Sequence, residues 1–132
     1  MEMKPMVYKN ERSAEILYEG NVQGYDFRII SQGTHPCAYV KVPKSHPFFK
    51  QRDNNIRISC HGGITYASNF LYGDEQSKKS ETWWIGWDYA HWLDYVGYGT
   101  TWVSESDRKW TTQEIYHEVI NVIAQLRSVE NA

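Results

Sequence analysis

Thr111 and Glu114 stand three residues apart at the head of the last amphipathic stretch of this chain. That spacing is a capping box. The hydroxyl accepts from the N–H of the third helical residue, and the carboxylate reaches back to the N–H of the cap. Behind it, Ile115, Val119, Val122, Ile123 and Leu126 fall at i, i+4, i+7, i+8 and i+11, the spacing of one helical stripe. We therefore expect a single amphipathic helix from about Thr112 to about Val129. A helix with one apolar stripe must lay it on another element, and the segments before it read as strands. The fold class expected is α+β: an antiparallel β-sheet of about five to six strands packed on one C-terminal amphipathic helix.

The strands follow from period-two alternation. Residues 14–19 open as a short strand, and Gly20 and Asn21 supply a turn. In residues 22–30, Tyr25, Phe27 and Ile29 share one face, and Asp26 and Arg28 the other. Next, Ala38, Val40 and Val42 point inward, Tyr39 and Lys41 outward, and Pro43 closes the strand or marks an edge. Residues 56–60 put Ile56, Ile58 and Cys60 on one side, with Arg57 and Ser59 on the other. His61-Gly62-Gly63 then forces a turn or bulge. Residues 64–70 read as a further strand. Residues 82–89 start as one and leave the sheet near Gly86. Residues 71–81 are the most polar stretch and read as a mobile surface loop. Residues 97–109 read as irregular, with a short strand around Trp102. One domain over 1–132 is the natural size for such a chain, with 1–12 a candidate flexible segment.

Composition narrows the function classes. The formal net charge is −2, so no basic field argues for a nucleic-acid polymer. Cys37 and Cys60 form no CxxC pair, which argues against a thiolate zinc site; two buried free thiols are the first expectation and one long-range disulfide the alternative. The first residues lack an apolar core, and no run approaches about 18 apolar residues, so we expect a cytosolic protein without a membrane span. Aromatic residues make up 15% of the chain. Trp and Tyr join a large apolar body to a polar tip, which suits interfaces and ligand pockets as well as cores.

The densest aromatic stretch, residues 83–95 (WWIGWDYAHWLDY), also carries the candidate chemistry. Asp88, His91 and Asp94 are spaced three apart. On an α-helix they would fan over about 120°, whereas on a 3₁₀ turn they would align. His61 is a natural fourth member, because its glycines let other groups approach closely. His61, Asp88, His91 and Asp94 are the catalytic candidates. An Asp can orient a His that acts as a general base, or the four can hold one divalent metal with a position open for water. The alternative is structural: a satisfied histidine among aromatics, and aspartates that cap turns. No cofactor is otherwise implied.

The ligand-binding candidates are His35, Arg57, His61, Trp87, Asp88, His91 and Trp92. His35 and His46 each precede a proline, which holds the residue before it extended. Arginine is shaped for bidentate phosphate recognition, although a solvated arginine is the plainer reading of Arg57. Trp84 and Trp110 are assigned to the core. Trp87 and Trp92, beside Asp88 and His91, are the pocket candidates. His117 is expected to face solvent.

Four blocks in order, GTHPCAYVKVPKSHPFF, ISCHGGITYA, WWIGWDYAHWLDY and KWTTQEI, resemble a family of short phage and prophage proteins. The resemblance spans roughly residues 22–126. It implies a phage gene product working in the bacterial host cytoplasm, where small accessory proteins counter host defence. Some do so as oligomeric sponges for nucleotide signals, and others cleave such signals. The first functional expectation is therefore a homo-oligomer that binds and sequesters a small anionic, nucleotide-like ligand. The alternatives are a metal-dependent or acid–base hydrolase of a phosphoester or cyclic nucleotide, and a protein-binding inhibitor of a host factor.

Overall fold

The computed structural model describes residues 1–74, 79–97 and 106–132. Among these residues five strands, β1 (Glu15–Val22), β2 (Tyr25–Ser31), β3 (Pro36–Lys41), β4 (Tyr66–Ser68) and β5 (Trp84–Asp88), form one sheet in the order β1-β2-β3-β5-β4. Every pairing is antiparallel. One helix, α1 (Thr112–Glu130), follows. The α+β class is as expected.

The helix forms as its sequence dictates. Thr111 caps it, and both halves of the capping box with Glu114 are present. Ile115, Val119, Val122, Ile123 and Leu126 are all fully buried against the sheet, where they meet Phe27, Ile29, Ala38, Val40, Ile85 and Trp87. Each such side chain contributes about 1.5–3 kcal/mol by leaving water. His117 on the opposite side is exposed.

The other sheet face is also covered, though by a loop. Ile30, Cys37, Tyr39 and Trp84 pack there with Leu71. The segment expected as a mobile loop therefore anchors in part. Leu71 is buried, Asp74 accepts from Trp84 Nε1 at 3.0 Å, and the Tyr72 carbonyl accepts from Arg28. Tyr39 lies on the outward face as expected, and is buried there for the same reason.

Three local expectations need correction. The first turn lies at Gln23-Gly24, not Gly20-Asn21. Gln23 and Gly24 have φ of 52° and 92°, the left-handed pair that a tight hairpin requires. Asn21 supports the turn from outside by accepting from Gly24 N–H through its side chain. Residues 56–60 bury Ile56 and Ile58 yet join no strand. Instead the Gln125 side chain accepts from Ser59 N–H at 2.8 Å and donates to Ser59 C=O at 2.7 Å. One helix carboxamide thus does for this segment what a neighbouring strand would. Finally, β5 does not leave the sheet at Gly86, which stays paired with both Tyr39 and Tyr66. A Cβ there would lie 2.3 Å from Tyr39 Cδ1, so glycine is needed to seat that ring. The strand expected around Trp102 lies outside the described residues.

The N-terminal segment is tied at several points. Lys4 N–H donates to Leu17 C=O and Lys9 N–H to Gly33 C=O. Thr112 Oγ1 donates to Lys4 C=O, and Tyr8 OH to Trp110 C=O. His46 is buried, with Nε2 against Leu126 C=O at 2.9 Å and Nδ1 accepting from Phe48 N–H, so it pins its loop to α1. Cys37 and Cys60 are both free thiols. No described helix is long and apolar enough to cross a membrane.

Candidate functional site

β5 ends at Asp88, and the chain then turns sharply through His91 to Asp94. The Asp94 N–H bonds back to His91 C=O at 2.9 Å, a single 3₁₀-type turn. Leu93 completes it with φ of 73°, a costly conformation for a branched residue. Arg108 then holds the outgoing chain by backbone bonds to Leu93 and Tyr95.

This turn aims Asp94 inward. Its side chain is only 3% exposed. It accepts three N–H bonds: from His61 Nε2 at 2.7 Å, from His91 N at 3.0 Å and from Trp110 Nε1 at 2.8 Å. The carboxylate is therefore fixed in position. His61 is held as firmly. Its ring stacks on buried Tyr89 at 4.7 Å and 11°, and meets the edge of Trp110 at 4.9 Å. Its backbone N–H donates to Glu118 of α1 at 2.6 Å.

A second couple lies beside the first. His91 Nε2 is 3.2 Å from Asp88 Oδ1, close enough for ion pairing but not aligned for a hydrogen bond. It is the one buried side-chain polar atom among the described residues without a hydrogen-bond partner. The His91 ring sits against Gly62, where an added Cβ would fall 2.2 Å from Nε2. The two imidazoles are 5.8 Å apart between ring centres. Asp88 is anchored by Thr65 Oγ1 and by Ala90 N–H.

On its far side, Asp88 forms part of the wall of a cleft of about 330 Å³. Arg12, Gln32, Thr34, His35, Cys37, Tyr39, Thr65, Tyr66 and Trp87 line the remainder. Burial holds the His35 imidazole below its ordinary range. Burial also pushes the Cys37 thiol up to about 12, so it is no nucleophile at neutral pH. Cys60, next to His61, is pushed up to about 12 by burial as well.

The catalytic candidates His61, Asp88, His91 and Asp94 are thus brought together, as two His–Asp couples. They do not converge on one centre. Among the described residues no three His, Cys, Asp or Glu side chains form a set that could hold a metal ion. The imidazole and carboxylate donors face each other in pairs instead of a common point.

The ligand-binding candidates disperse. His35 and Asp88 line the cleft, and Trp87 lines it while being almost wholly buried in the core, its Nε1 bonded to Tyr89 OH. Arg57 is exposed on the segment held by Gln125, and is not among the cleft residues. Trp92 is 88% exposed and also absent from the cleft wall, because the turn at His91–Asp94 throws it outward. Trp110 packs at the edge of the main core. It is half-buried, bonded to Asp94 and covered by the Arg108 guanidinium at 3.7 Å. Arg12, Glu118 and Thr65 join the site without any mark in the sequence. No spacing signal singles them out, since each reaches the site from a different element.

Fold and site define a small α+β protein with a polar, aromatic-walled cleft and two His–Asp couples at one end of its sheet. No protein-family model, curated protein or solved structure matches the chain.

Proposed function

We propose that the chain is an acid–base hydrolase of a small molecule, with His61 as general base and Asp94 as the group that orients it. The His61–Asp94 couple carries this reading. In the neutral ring that donates Nε2–H to Asp94, the lone pair lies on Nδ1. That nitrogen has no hydrogen bond to a described residue, and the side chain is 26% exposed. A base held by a buried carboxylate and free on its other nitrogen is the arrangement that proton abstraction requires. His61 takes a proton from water as the water oxygen attacks the electrophilic atom. The bond from that atom to the leaving oxygen then breaks. The leaving oxygen receives a proton, from His61 or from His91 beside it. For a phosphoester the products are an alcohol and a phosphate.

An oriented general base is worth about 10²–10⁴-fold in rate. With p-nitrophenyl phosphate, bis-p-nitrophenyl phosphate and p-nitrophenyl acetate as probes, His61→Ala and Asp94→Asn should each lower turnover of the accepted ester by about 100-fold or more. Far-UV circular dichroism reports whether both variants stay folded. Turnover equal to that of the unmodified protein in either folded variant would overturn the assignment.

Trp92 favours a second reading. With Leu93 at 59% exposure beside it, it forms an apolar projection of the kind oligomers bury. Sequestration of an anionic ligand by an oligomer, without turnover, would use that surface. The phage accessory role suggested by the resemblance is compatible with both readings. Light scattering decides this one: an oligomer that Trp92→Ser converts to monomer supports it, and a monomeric native protein removes it.

A further inference from the structure

The cleft itself has a chemical identity that the two couples do not explain. The six ion pairs among the described residues leave Arg12 unused. Arg12 lines the cleft, and His35 feels the charge of both Arg12 and Asp88. Burial lowers the hold of His35 on a proton, and Arg12 is the one permanent cation among the cleft residues. An unpaired guanidinium on a concave surface is matched by phosphate, which accepts two parallel N–H bonds from it.

The remaining wall is of another character. Tyr39 and Tyr66 meet edge to face at 5.2 Å, and Gly86 beneath leaves room for the Tyr39 ring. Aromatic faces of this kind bind a planar ring with little regard to its identity. Asp88 adds a carboxylate that can accept from a ligand hydroxyl. Volume then sets the size. About 330 Å³ is at the low end of the roughly 300–1,000 Å³ typical of ligand sites, enough for one ring system with one anionic group.

We propose that this cleft is a binding site for a nucleoside monophosphate or an aromatic phosphate of that size. Arg12 takes the phosphate, Tyr66 takes the ring with buried Tyr39 behind it, and Asp88 takes a hydroxyl. The proposal touches the acid–base reading only through Asp88, which lines the cleft and also pairs with His91.

Isothermal titration with adenosine, guanosine, cytidine and uridine 5′-monophosphates tests it, with adenosine and ribose 5-phosphate as controls lacking phosphate and ring. At least one monophosphate should bind at sub-millimolar concentration, more tightly than either control. Arg12→Ala should weaken it roughly 10-fold or more, with partial recovery in Arg12→Lys. Tyr66→Ala should weaken it roughly 10-fold as well. Arg12 is exposed, so its variants should keep the thermal unfolding midpoint. No saturable binding of any monophosphate up to several millimolar, or affinity indifferent to Arg12→Ala, would overturn the proposal. Binding through Arg12 without hydrolysis of any ester would keep it and remove the acid–base reading. Hydrolysis of an ester with no monophosphate binding through Arg12 would do the reverse.

Discussion

His91 rests on Gly62, and that contact shows what one residue decides here. Gly62 and Gly63 both have positive φ, at 69° and 78°. A Cβ on Gly63 would enter open space, while one on Gly62 would strike the imidazole. Gly63→Ala should therefore cost about 1–2 kcal/mol of backbone strain alone. Gly62→Ala should add about 1–3 kcal/mol of overpacking and displace His91 from Asp88. Urea unfolding of the two variants, with the His91 ring protons followed by NMR, measures both effects. Equal losses and an unmoved ring would show that the contact is not tight. Close approach at these glycines was legible in the chain. Which ring would approach was not, because His91 arrives through a turn whose left-handed residue is Leu93, a type that gives no warning of it.

At the scale of the element, periodicity decides the helix, and one side chain decides the segment before His61. Thr111→Ala should cost about 1 kcal/mol, the usual worth of a cap. Gln125→Ala removes both bonds to Ser59, each worth about 0.5–1.5 kcal/mol, and should loosen the approach to His61 while leaving the helix intact. Amide hydrogen exchange reads this directly: faster exchange at Ser59 and His61 with unchanged protection along α1 is expected. Unchanged exchange at Ser59 would mean that the buried Ile56 and Ile58 hold the segment unaided. Alternation in residues 56–60 marked Ile56 and Ile58, which are buried, and Cys60, which is half-buried. It could not tell a strand from a segment paired to a glutamine, because both bury every second residue.

Across the whole molecule, the N-terminal segment and the two sheet faces assemble the site, and their titration sets the pH range of stability. Burial lowers the folded-state affinity of His35 for a proton from the ordinary 6.5. The unfolded chain therefore binds that proton first, and stability falls as pH drops from about 6.5 toward the lower folded value. Glu114 acts in a second window. Its pairing with Arg108, and then its bond from Thr111 N–H, hold its carboxyl below the ordinary 4.5. The stability it contributes is complete above about 4.5 and is lost as pH falls through the folded value. Urea midpoints between pH 8 and 3 should decline in these two windows. His35→Gln should flatten the upper one and Glu114→Gln the lower. An upper decline unchanged in His35→Gln would assign it to another group.

The helix, its cap, its buried stripe and the inward faces of β2 and β3 were determined by the sequence alone. The periods of helix and strand are properties of the local backbone, and each reads from neighbours within a few positions. The site was decided only by tertiary structure. His61 and Asp94 are 33 positions apart, Arg12 comes from the N-terminal segment, and Glu118 from the helix. Which of these groups meet depends on strand register, on the turn after β5 and on what α1 covers, and no local period carries that information.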